Sequence, residues 1–383
     1  MVLVHPVQIV PHPSPLPDEQ RRAILEAPVF GESFSDHMVT MPWRDGAWGP
    51  LELRSFGPLS LSPATLALHY GQSIFEALKA YALADGSVGL FRAERNAARM
   101  AGSARRIAMP ELPDGVFQQA CELLVDADRS WVPTADGSAL YVRPFMFGAE
   151  AHLSVRPAQE YLFVVIASPV ASYFGPQLGA ITVAVERADV RATPGGTGDA
   201  KFAGNYAAGF AAHSRAGAEG YDQVLWLDAA EHRWVEELNA MNVVFVWCRE
   251  GRTVVSTPPL TGTILPGVTR DSLLALIGDA VGSGEPGDAG EPGIDAVSVE
   301  PTSIDQIRAG VDDGTLREMF ACGTAAVIAP IGHLGDGATR LCIGDGQPGE
   351  VTMDLRRRLL DVQYGRCEDR HGWVTRVPAT AAR

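Results

Sequence analysis

Thr193–Gly209 reads TPGGTGDAKFAGNYAAG, a glycine-rich loop that leads through Lys201 into an alanine-rich helix. Lysines usually lie on exposed helix faces among other charges, yet no charged residue follows Lys201 within five positions. A desolvated lysine loses its proton readily and becomes a nucleophile towards aldehydes and ketones. A surface lysine beside a flexible glycine loop accounts for the stretch equally well. Tyr206 could share a pocket with Lys201 only if no regular helix begins at the lysine.

The composition of the whole chain excludes several classes of partner. The 383 residues include 31 Lys+Arg against 46 Asp+Glu, a formal net charge of −15, and 46% of them are hydrophobic. Nucleic acids and anionic membrane surfaces attract basic patches, so neither is an expected partner. No run approaches the ~18 apolar residues of a transmembrane helix. The N-terminus is broken by prolines, which is wrong for a signal peptide.

The cysteines favour a reducing compartment. They are odd in number and widely spaced, with no C-x-x-C pair and no Cys/His ligand spacing, at Cys121, Cys248, Cys322, Cys342 and Cys367. Such a set predicts free thiols in a cytoplasmic protein and no metal site.

The length of the chain predicts two domains, because a single hydrophobic core stops growing at ~250–300 residues. The pattern of helical and strand segments predicts an α/β (α+β) fold. An amphipathic helix at 92–108 and apolar strands at 139–148 and 161–169 indicate the first domain. Alternating strands and helices, including one helix at 205–216, indicate the second. The predicted divisions are an irregular N-terminal extension at 1–60, a small α+β domain at 61–170, a linker at 171–179 and a large domain at 180–383.

Two adjacent acids, Glu236 and Glu237, precede an apolar strand in WVEELNAMNVVFV. Acids on a loop are usually solvated, and this is the expectation for Glu236. A carboxylate at a strand entrance can instead pair with a heterocyclic nitrogen and keep it protonated, as an electron-sink cofactor requires. The period-2 alternation of a strand does not tell which of the two points inward.

The segment Thr261–Ser272, TGTILPGVTRDS, has a Pro/Gly turn that opens a predicted helix. The N–H groups of Val268 and Thr269 would have no intrahelical acceptor there, and such a helix start is a phosphate site. Every helix has an N-terminus, so this signal is weak by itself. A second Gly/Thr turn at Cys322–Ala325 precedes a buried strand, and a plain strand entrance explains it as well.

Collinear strings along most of the chain resemble the branched-chain amino acid aminotransferases, pyridoxal-phosphate enzymes of fold type IV. The two most diagnostic are GGTGDAKFAGNYAA, which contains the lysine, and LHYGQSIFEALKAY at 68–81. The others are LFRAERNAARM, LYVRP, DQVLWLDA, VEELNAMN, TILPGVTRDSLL and REMFACGTAAVIAP. The resemblance implies a smaller N-terminal α+β domain and a larger C-terminal domain with a mixed sheet or pseudo-barrel.

The resemblance also implies roles for individual residues. The Schiff-base and acid/base lysine falls on Lys201, the partner of the cofactor's phenolic oxygen on Tyr206, and the acid at the pyridine nitrogen on Glu237. The implied phosphate ligands are Arg99, the amides of Val268 and Thr269, and Thr324. The implied substrate ligands are Tyr70, Thr324 and Ala325 for the carboxylate, Phe30, Phe75, Tyr141 and Tyr173 for the apolar side chain, and Arg143 for the second carboxylate of glutamate.

The implied activity is reversible transfer of the amino group of L-leucine, L-isoleucine or L-valine to 2-oxoglutarate, in a cytoplasmic homodimer. D-amino acid aminotransferase and aminodeoxychorismate lyase share the lysine, glutamate and phosphate roles, but the LYVRP and TILPGVTR strings favour the branched-chain type. A non-catalytic protein of the same fold would have lost Lys201 or Glu237, and neither is missing.

Two features depart from the family pattern. Many animal relatives carry a C-x-x-C redox pair where this chain has Ala326 and Ala329, so thiol-switch regulation is not expected. The loop Gly284–Gly293, GEPGDAGEPG, is longer than expected and has no assigned role.

Overall fold

The computed structural model describes residues 4–171, 179–283 and 293–379. Tyr173, most of the predicted linker and the Gly284–Gly293 loop up to its last residue lie outside these ranges. The chain forms two units, the first comprising Met1–Tyr173, Ala200–Gly204 and Asp361–Arg383, and the second Phe174–Asp199 and Asn205–Leu360. The segment that carries Lys201 therefore belongs to the first unit and not, as its position in the sequence predicts, to the large domain at 180–383.

The elements are numbered in chain order. The strands are β1 (Val7–Ile9), β2 (His37–Arg44), β3 (Ala47–Trp48), β4 (Leu51–Ser55), β5 (Ser73–Phe75), β6 (Leu78–Ala82), β7 (Val88–Phe91), β8 (Ala139–Gly148), β9 (Tyr161–Val170), β10 (Ile181–Val185), β11 (Gln223–Leu227), β12 (Val235–Leu238), β13 (Asn242–Arg249), β14 (Arg252–Thr257), β15 (Ala296–Val299), β16 (Leu316–Gly323), β17 (Val327–Asp336), β18 (Thr339–Cys342) and β19 (Val374–Arg376). The helices are α1 (Asp18–Glu26), α2 (Leu66–Tyr70), α3 (Ala93–Arg106), α4 (Val116–Ala127), α5 (Ala203–Ala208), α6 (Phe210–Ala218), α7 (Val268–Ser283), α8 (Ile304–Asp312) and α9 (Glu350–Gln363). The helix predicted at 92–108 and the strands predicted at 139–148 and 161–169 are confirmed by α3, β8 and β9.

The first unit is built on one sheet, with the strand order β1-β4-β2-β9-β8-β6-β7-β19, β3 on β2 and β5 on β8. The prediction that residues 1–60 are irregular is wrong, because β1 to β4 all belong to this sheet. Pro42 and the glycines around it hid the strand β2 from local pattern analysis. Pro42 has no N–H to donate to the sheet, but its carbonyl accepts a hydrogen bond from the Gly49 N–H at 2.8 Å.

The helices α3 and α4 cover the core of the first unit. Apolar residues recur at helical spacing in α4, and Phe117, Cys121 and Leu124 are buried. The buried face of α3 is partly polar, because it includes Asn96 and Ser103. Buried polar groups need hydrogen-bond partners, so this face of α3 is built for polar contacts as well as for packing.

A buried carboxylate joins the end of α4 to β2. Asp128 accepts the His37 backbone N–H at 2.9 Å, and it lies 2.6 Å from His37 Nδ1. The hydrogen bond to Asp128 raises the pKa of His37 above its ordinary value of 6.5, against the opposing effect of burial. The pair is therefore strongest when the imidazole is protonated.

The second unit contains a closed six-stranded barrel in the order β12-β11-β10-β17-β16-β13, and the pairing of Glu237 with Asn242 joins β13 back to β12. The strands β14 and β15 continue the sheet from β13, and β18 pairs with β17. The hydrophobic core of this unit holds large apolar side chains such as Phe245 and Met319. The predicted mixed-sheet, pseudo-barrel fold is thus confirmed, and Glu237 lies where the barrel closes.

Helix prediction in the second half was partly wrong. The single helix expected at 205–216 is interrupted at Gly209, which separates α5 from α6 and donates its N–H to the Tyr206 carbonyl at 3.1 Å. The helix α7 begins at Val268, as the Pro/Gly turn predicts. Within the described ranges, no helix is long and apolar enough to cross a membrane.

Candidate active site

Hydrogen bonds within the first unit fix the backbone of Lys201 on both sides. The Lys201 N–H donates to Ser103 Oγ on α3 at 2.9 Å, and the Phe75 N–H on β5 donates to the Lys201 carbonyl at 3.1 Å. Phe202 forms a β-bridge with Ile74. The lysine therefore lies in a short extended segment before α5, held between a strand and a helix.

The Lys201 side chain has a strongly perturbed environment. The residue is only 8% exposed, which excludes the surface position that the sequence left open. Its amine lies 4.7 Å from the centre of the Phe75 ring. Burial, reinforced by the positive charge of Arg99, lowers the pKa of the amine to about 8, while Glu76 acts in the opposite direction. Much of the amine is therefore neutral near pH 8, in its nucleophilic and basic form.

Lysine is rare in this chain. Of 31 basic residues only two, Lys79 and Lys201, are lysines, and both are buried. Arginine does not release its proton in proteins, so it cannot replace a lysine as a nucleophile or base. The number of lysines can be read from the sequence, and it alone restricts the candidates for a nucleophilic lysine to Lys79 and Lys201.

Arg99 on α3 is paired with a buried carboxylate that sequence reasoning did not assign to the site. Arg99 Nε and Nη2 donate to Glu76 Oε1 and Oε2 at 2.7 and 2.8 Å. Asn96 Nδ2 also donates to Glu76 Oε2, at 2.7 Å. Glu76 is fully buried and the Arg99 side chain is 8% exposed. The two-bond pairing fixes the guanidinium plane and offsets the cost of burying its charge.

Four of the predicted pocket residues lie together in the first unit. The Arg143 guanidinium stacks over the Phe75 ring at 4.7 Å and over the Tyr141 ring at 5.3 Å, and its Nη2 donates to Tyr141 Oη at 2.8 Å. The Phe30 ring packs edge-on against Tyr141, with ring centres 5.0 Å apart. Arg143 Nε is buried and has no hydrogen-bond acceptor among the residues that the structure describes. The cluster therefore combines apolar walls with an unsatisfied cationic donor.

The remaining predicted substrate residues are placed separately. Tyr70 ends α2, is 43% exposed and donates from Oη to the Leu153 carbonyl at 2.5 Å. Within the described ranges, no hydrogen bond or ring contact joins it to the Arg143 cluster. Thr324 and Ala325 lie in the second unit, in the turn between β16 and β17.

Glu237 is held at the closure of the barrel by three donors. Arg191 Nη2 lies 2.6 Å from Glu237 Oε1, and both side chains are 4% exposed. Asn242 Nδ2 donates to Oε2 at 3.0 Å, and the Leu265 N–H donates to Oε1 at 3.4 Å. Neither Arg191 nor this set of contacts was anticipated from the sequence. The arrangement favours an ionised carboxylate.

Glu236 is also buried, so the expectation that it is solvated is wrong. It is 5% exposed, and all four residues of β12 are buried. The two faces of a barrel strand are both covered here, and alternation therefore does not bring either acid to the solvent. Burial raises the pKa of Glu236.

The start of α7 has the features of an anion site. The amides of Val268 and Thr269 belong to the first helical turn and have no intrahelical acceptor. Before them, a Cβ on Gly267 would lie 1.9 Å from Asn242 Oδ1, so only glycine fits that position. Arg270 anchors the turn, because its Nη2 donates to the Pro258 carbonyl at 2.9 Å.

Tyr206, the last of the predicted cofactor residues, lies in α5 and is partly buried. All five cysteines are free thiols. The described part of the chain contains no group of three or more His, Cys, Asp or Glu side chains arranged to hold a metal ion.

The family model for amino-transferase class IV matches residues 73–334. The chain belongs to the class IV aminotransferases. This class IV aminotransferase is 49% identical over 370 residues to a probable branched-chain-amino-acid aminotransferase of Streptomyces coelicolor, covering 96% of this chain and 98% of the relative. It is 46% identical over 366 residues to the branched-chain-amino-acid aminotransferase of Mycobacterium tuberculosis, covering 95% and 96%. The predicted family is confirmed.

Solved structures agree with this assignment. The class IV aminotransferase resembles the T.th. branched-chain amino acid aminotransferase with pyridoxamine 5'-phosphate at a TM-score of 0.68 and 27% identity, covering 88% of this chain and 98% of the other. The same relative complexed with N-(5'-phosphopyridoxyl)-L-glutamate gives a TM-score of 0.67 at 27% identity and the same coverage. The predicted fold is confirmed.

Proposed function

We propose that this protein transfers the amino group of L-leucine, L-isoleucine or L-valine to 2-oxoglutarate, with pyridoxal 5'-phosphate as its cofactor. The observation that carries the proposal is the buried amine of Lys201, whose pKa is lowered to about 8, in a chain 46–49% identical to branched-chain aminotransferases over nearly its full length. A lysine made neutral by burial is the group that binds an aldehyde cofactor.

The residues present fit that cofactor. Lys201 Nζ would bind its aldehyde, Glu237 would accept a hydrogen bond from its ring nitrogen, and Tyr206 would pair with its phenolic oxygen. The family resemblance assigns its phosphate to Arg99, the amides of Val268 and Thr269, and Thr324, which would hold it when the cofactor is bound. The first-turn amides of α7, the glycine before them and the contact of Glu237 with Arg191 are the structural features that support these roles. When bound, pyridoxal phosphate supplies the aldehyde that captures the amino group and a ring that accepts electrons from Cα.

The proton transfers fall to Lys201. With the cofactor and substrate bound, the neutral Nζ of Lys201 would take the proton from the substrate Cα as a general base and return a proton as a general acid. In the protein without cofactor, burial already lowers the pKa of this amine to about 8, which favours its neutral, basic form. The carboxylate of Glu237 holds the proton of the ring nitrogen throughout.

The Arg143 cluster explains how one pocket takes two kinds of side chain. Phe30, Phe75 and Tyr141 offer apolar surfaces to a branched aliphatic chain, and the family resemblance assigns the same role to Tyr173, which lies outside the described residues. The buried Arg143 Nε, which has no acceptor among the described residues, suits the second carboxylate of glutamate. The proposed ligands of the substrate's α-carboxylate are Tyr70, Thr324 and Ala325.

We also propose that the protein is a cytoplasmic homodimer. Free cysteines support a reducing compartment. Exposed apolar side chains in the first unit support self-association, among them Leu68, Leu153 and Val155 at 63%, 59% and 85% exposure. Light scattering of the purified protein would give its mass in solution, and a monomer would contradict the proposal.

The decisive test is an absorbance spectrum of the purified protein reconstituted with pyridoxal phosphate. A visible band that shifts on addition of L-leucine and returns on 2-oxoglutarate would establish the cofactor and both half-reactions. A band that responds to D-alanine but not to L-leucine would move the function to the D-amino acid branch. The absence of any band would contradict the proposal.

The scarcity of lysine makes the residue assignment equally direct. Borohydride reduction should fix the cofactor to Lys201 in the wild type and in Lys79→Arg, but not in Lys201→Arg. Transamination should disappear with the label. Turnover retained in Lys201→Arg would contradict the proposed role.

A further inference from the structure

Arg191 lies at the centre of a set of buried contacts in the second unit. It follows β10 in the chain, and its Nη2 lies 2.6 Å from Glu237 Oε1. The same nitrogen donates to the Gly198 carbonyl at 3.0 Å and to the Thr263 carbonyl. A Cβ on Gly198 would lie 2.4 Å from the Thr263 oxygen. These contacts hold the guanidinium in one place beside the carboxylate.

The position of Arg191 decides whether a proton shared between Glu237 and a hydrogen-bonded base lies on the carboxylate or on the base. A base that hydrogen-bonds to Glu237 competes with the carboxylate for one proton. Arg191 lies directly against the carboxylate, so its positive charge opposes a proton on Glu237 more strongly than a proton on the base. The proton is driven to the base.

The neighbouring acid has no guanidinium in contact with it. Glu236 lies on the same strand and is equally buried, but no ion pair links it to Arg191, and its Oε2 has no hydrogen-bond partner among the described residues. Burial raises the pKa of Glu236. The two adjacent buried acids thus differ in their contacts: Arg191, Asn242 and the Leu265 N–H touch Glu237, whereas Arg191 acts on Glu236 only through its charge.

We propose that Arg191 is a positioning residue that keeps Glu237 ionised and so places the shared proton on the ring nitrogen of the cofactor. The inference rests on the proposed function, because it concerns the same cofactor. It assigns to Arg191 a part in catalysis that it performs through Glu237, without touching the reacting atoms.

The experiment compares Arg191→Gln, which removes the charge but keeps a hydrogen-bond donor, with Arg191→Lys, which keeps the charge. Arg308→Met is the matched control, since it removes another arginine of this unit that pairs with a buried carboxylate, Asp336. Each protein is loaded with pyridoxal phosphate labelled with ¹⁵N in the ring. The ¹⁵N chemical shift reports the protonation of the ring nitrogen directly, and kcat and KM for L-leucine are measured in parallel.

An opposite charge in contact with a carboxyl group changes its proton affinity by about 10- to 1000-fold. In Arg191→Gln the ¹⁵N signal is therefore expected to move from the protonated towards the neutral position, and kcat to fall at least about 10-fold with little change in KM. The signal and kcat should be largely restored in Arg191→Lys and unchanged in Arg308→Met.

A fully protonated ring nitrogen in Arg191→Gln would overturn the inference. So would equal losses in Arg191→Gln and Arg191→Lys, which indicate a structural role only. If Arg191→Gln does not fold, Arg191→Lys decides the matter, because a wild-type ¹⁵N signal in that variant supports the charge and a neutral signal refutes it. A wild-type protein that binds no cofactor would instead refute the proposed function.

Discussion

The pair formed by Glu76 and Arg99 makes a quantitative test of how the first unit holds its charges. Replacing Glu76 by Gln removes the negative charge and leaves Arg99, 8% exposed, without its two-bond partner. The amide still offers one oxygen to Asn96 Nδ2, now 2.7 Å from Glu76 Oε2. The substitution changes the volume very little, so electrostatics dominates its effect.

Removing one partner of a buried ion pair costs about 3–5 kcal/mol. Because one amide oxygen remains as an acceptor, we expect a loss near the lower limit, about 3 kcal/mol, in the free energy of unfolding of the apoprotein. For a unit of this size that corresponds to a fall in Tm of roughly 6–12 °C. The negative charge of Glu76 also supports the protonated form of Lys201, so the pKa of Lys201 should fall further in this variant.

Two measurements test these expectations. Urea unfolding of the apoprotein gives the loss in stability, and the pH dependence of borohydride trapping gives the titration of Lys201. Glu160→Gln is the matched control, since Glu160 and its partner Arg44 are 45% and 69% exposed and 3.6 Å apart; such a surface change is worth about 0.5 kcal/mol or less. A loss below about 1 kcal/mol in Glu76→Gln, or a rise in the Lys201 midpoint, would refute the reasoning.

Three further predictions follow from single contacts. Because its pKa is raised, the pair of His37 with Asp128 stabilises the fold fully below pH 6.5 and less as the pH rises through the raised value. Urea unfolding at pH 6 and pH 8 measures this pH dependence, and His37→Gln should abolish it. In the wild-type apoprotein, trapping of pyridoxal phosphate on Lys201 should rise with a midpoint near pH 8, and a midpoint above pH 10 in a titration series would contradict the burial argument. Gly267→Ala should displace Asn242, whose Oδ1 would lie 1.9 Å from the new Cβ, and should weaken cofactor binding measured by equilibrium dialysis. The control is Gly278→Ala within α7, where the new Cβ meets no atom within 4 Å and should stabilise the fold by about 0.5–1 kcal/mol.

Local patterns predicted those elements whose signal is contained in a short stretch. The helix α3 and the strands β8 and β9 were found because periodicity and apolar runs mark them directly. The strand β2 was missed because its pairing with β9 depends on residues more than a hundred positions away, such as Val39 and Val165. Pro42 inside it carries a local signal against a strand.

The site shows the same division between local and distant causes. Lys201, Arg99 and Glu237 were identified from the family strings, but the partners of the two charged groups were not. Glu76 and Arg191 lie far from Arg99 and Glu237 in the sequence, and only the fold brings each pair within 2.7 Å. The sequence does indicate that Glu76 has a cationic partner, because an acid inside an apolar run is expected to be buried and buried carboxylates are almost always paired.

Both charged groups proposed to bind the cofactor are thus paired inside their own units. An unpaired charge of this burial would cost several kcal/mol and would favour a neutral or rearranged side chain before any ligand arrived. Glu76 removes that cost for Arg99, and Arg191 removes it for Glu237. Each unit can therefore fold with its charges already oriented, so the binding of a cofactor does not have to supply the energy of ionisation. Preorganisation of this kind is how fixed charges stabilise a reaction without reorganising during it.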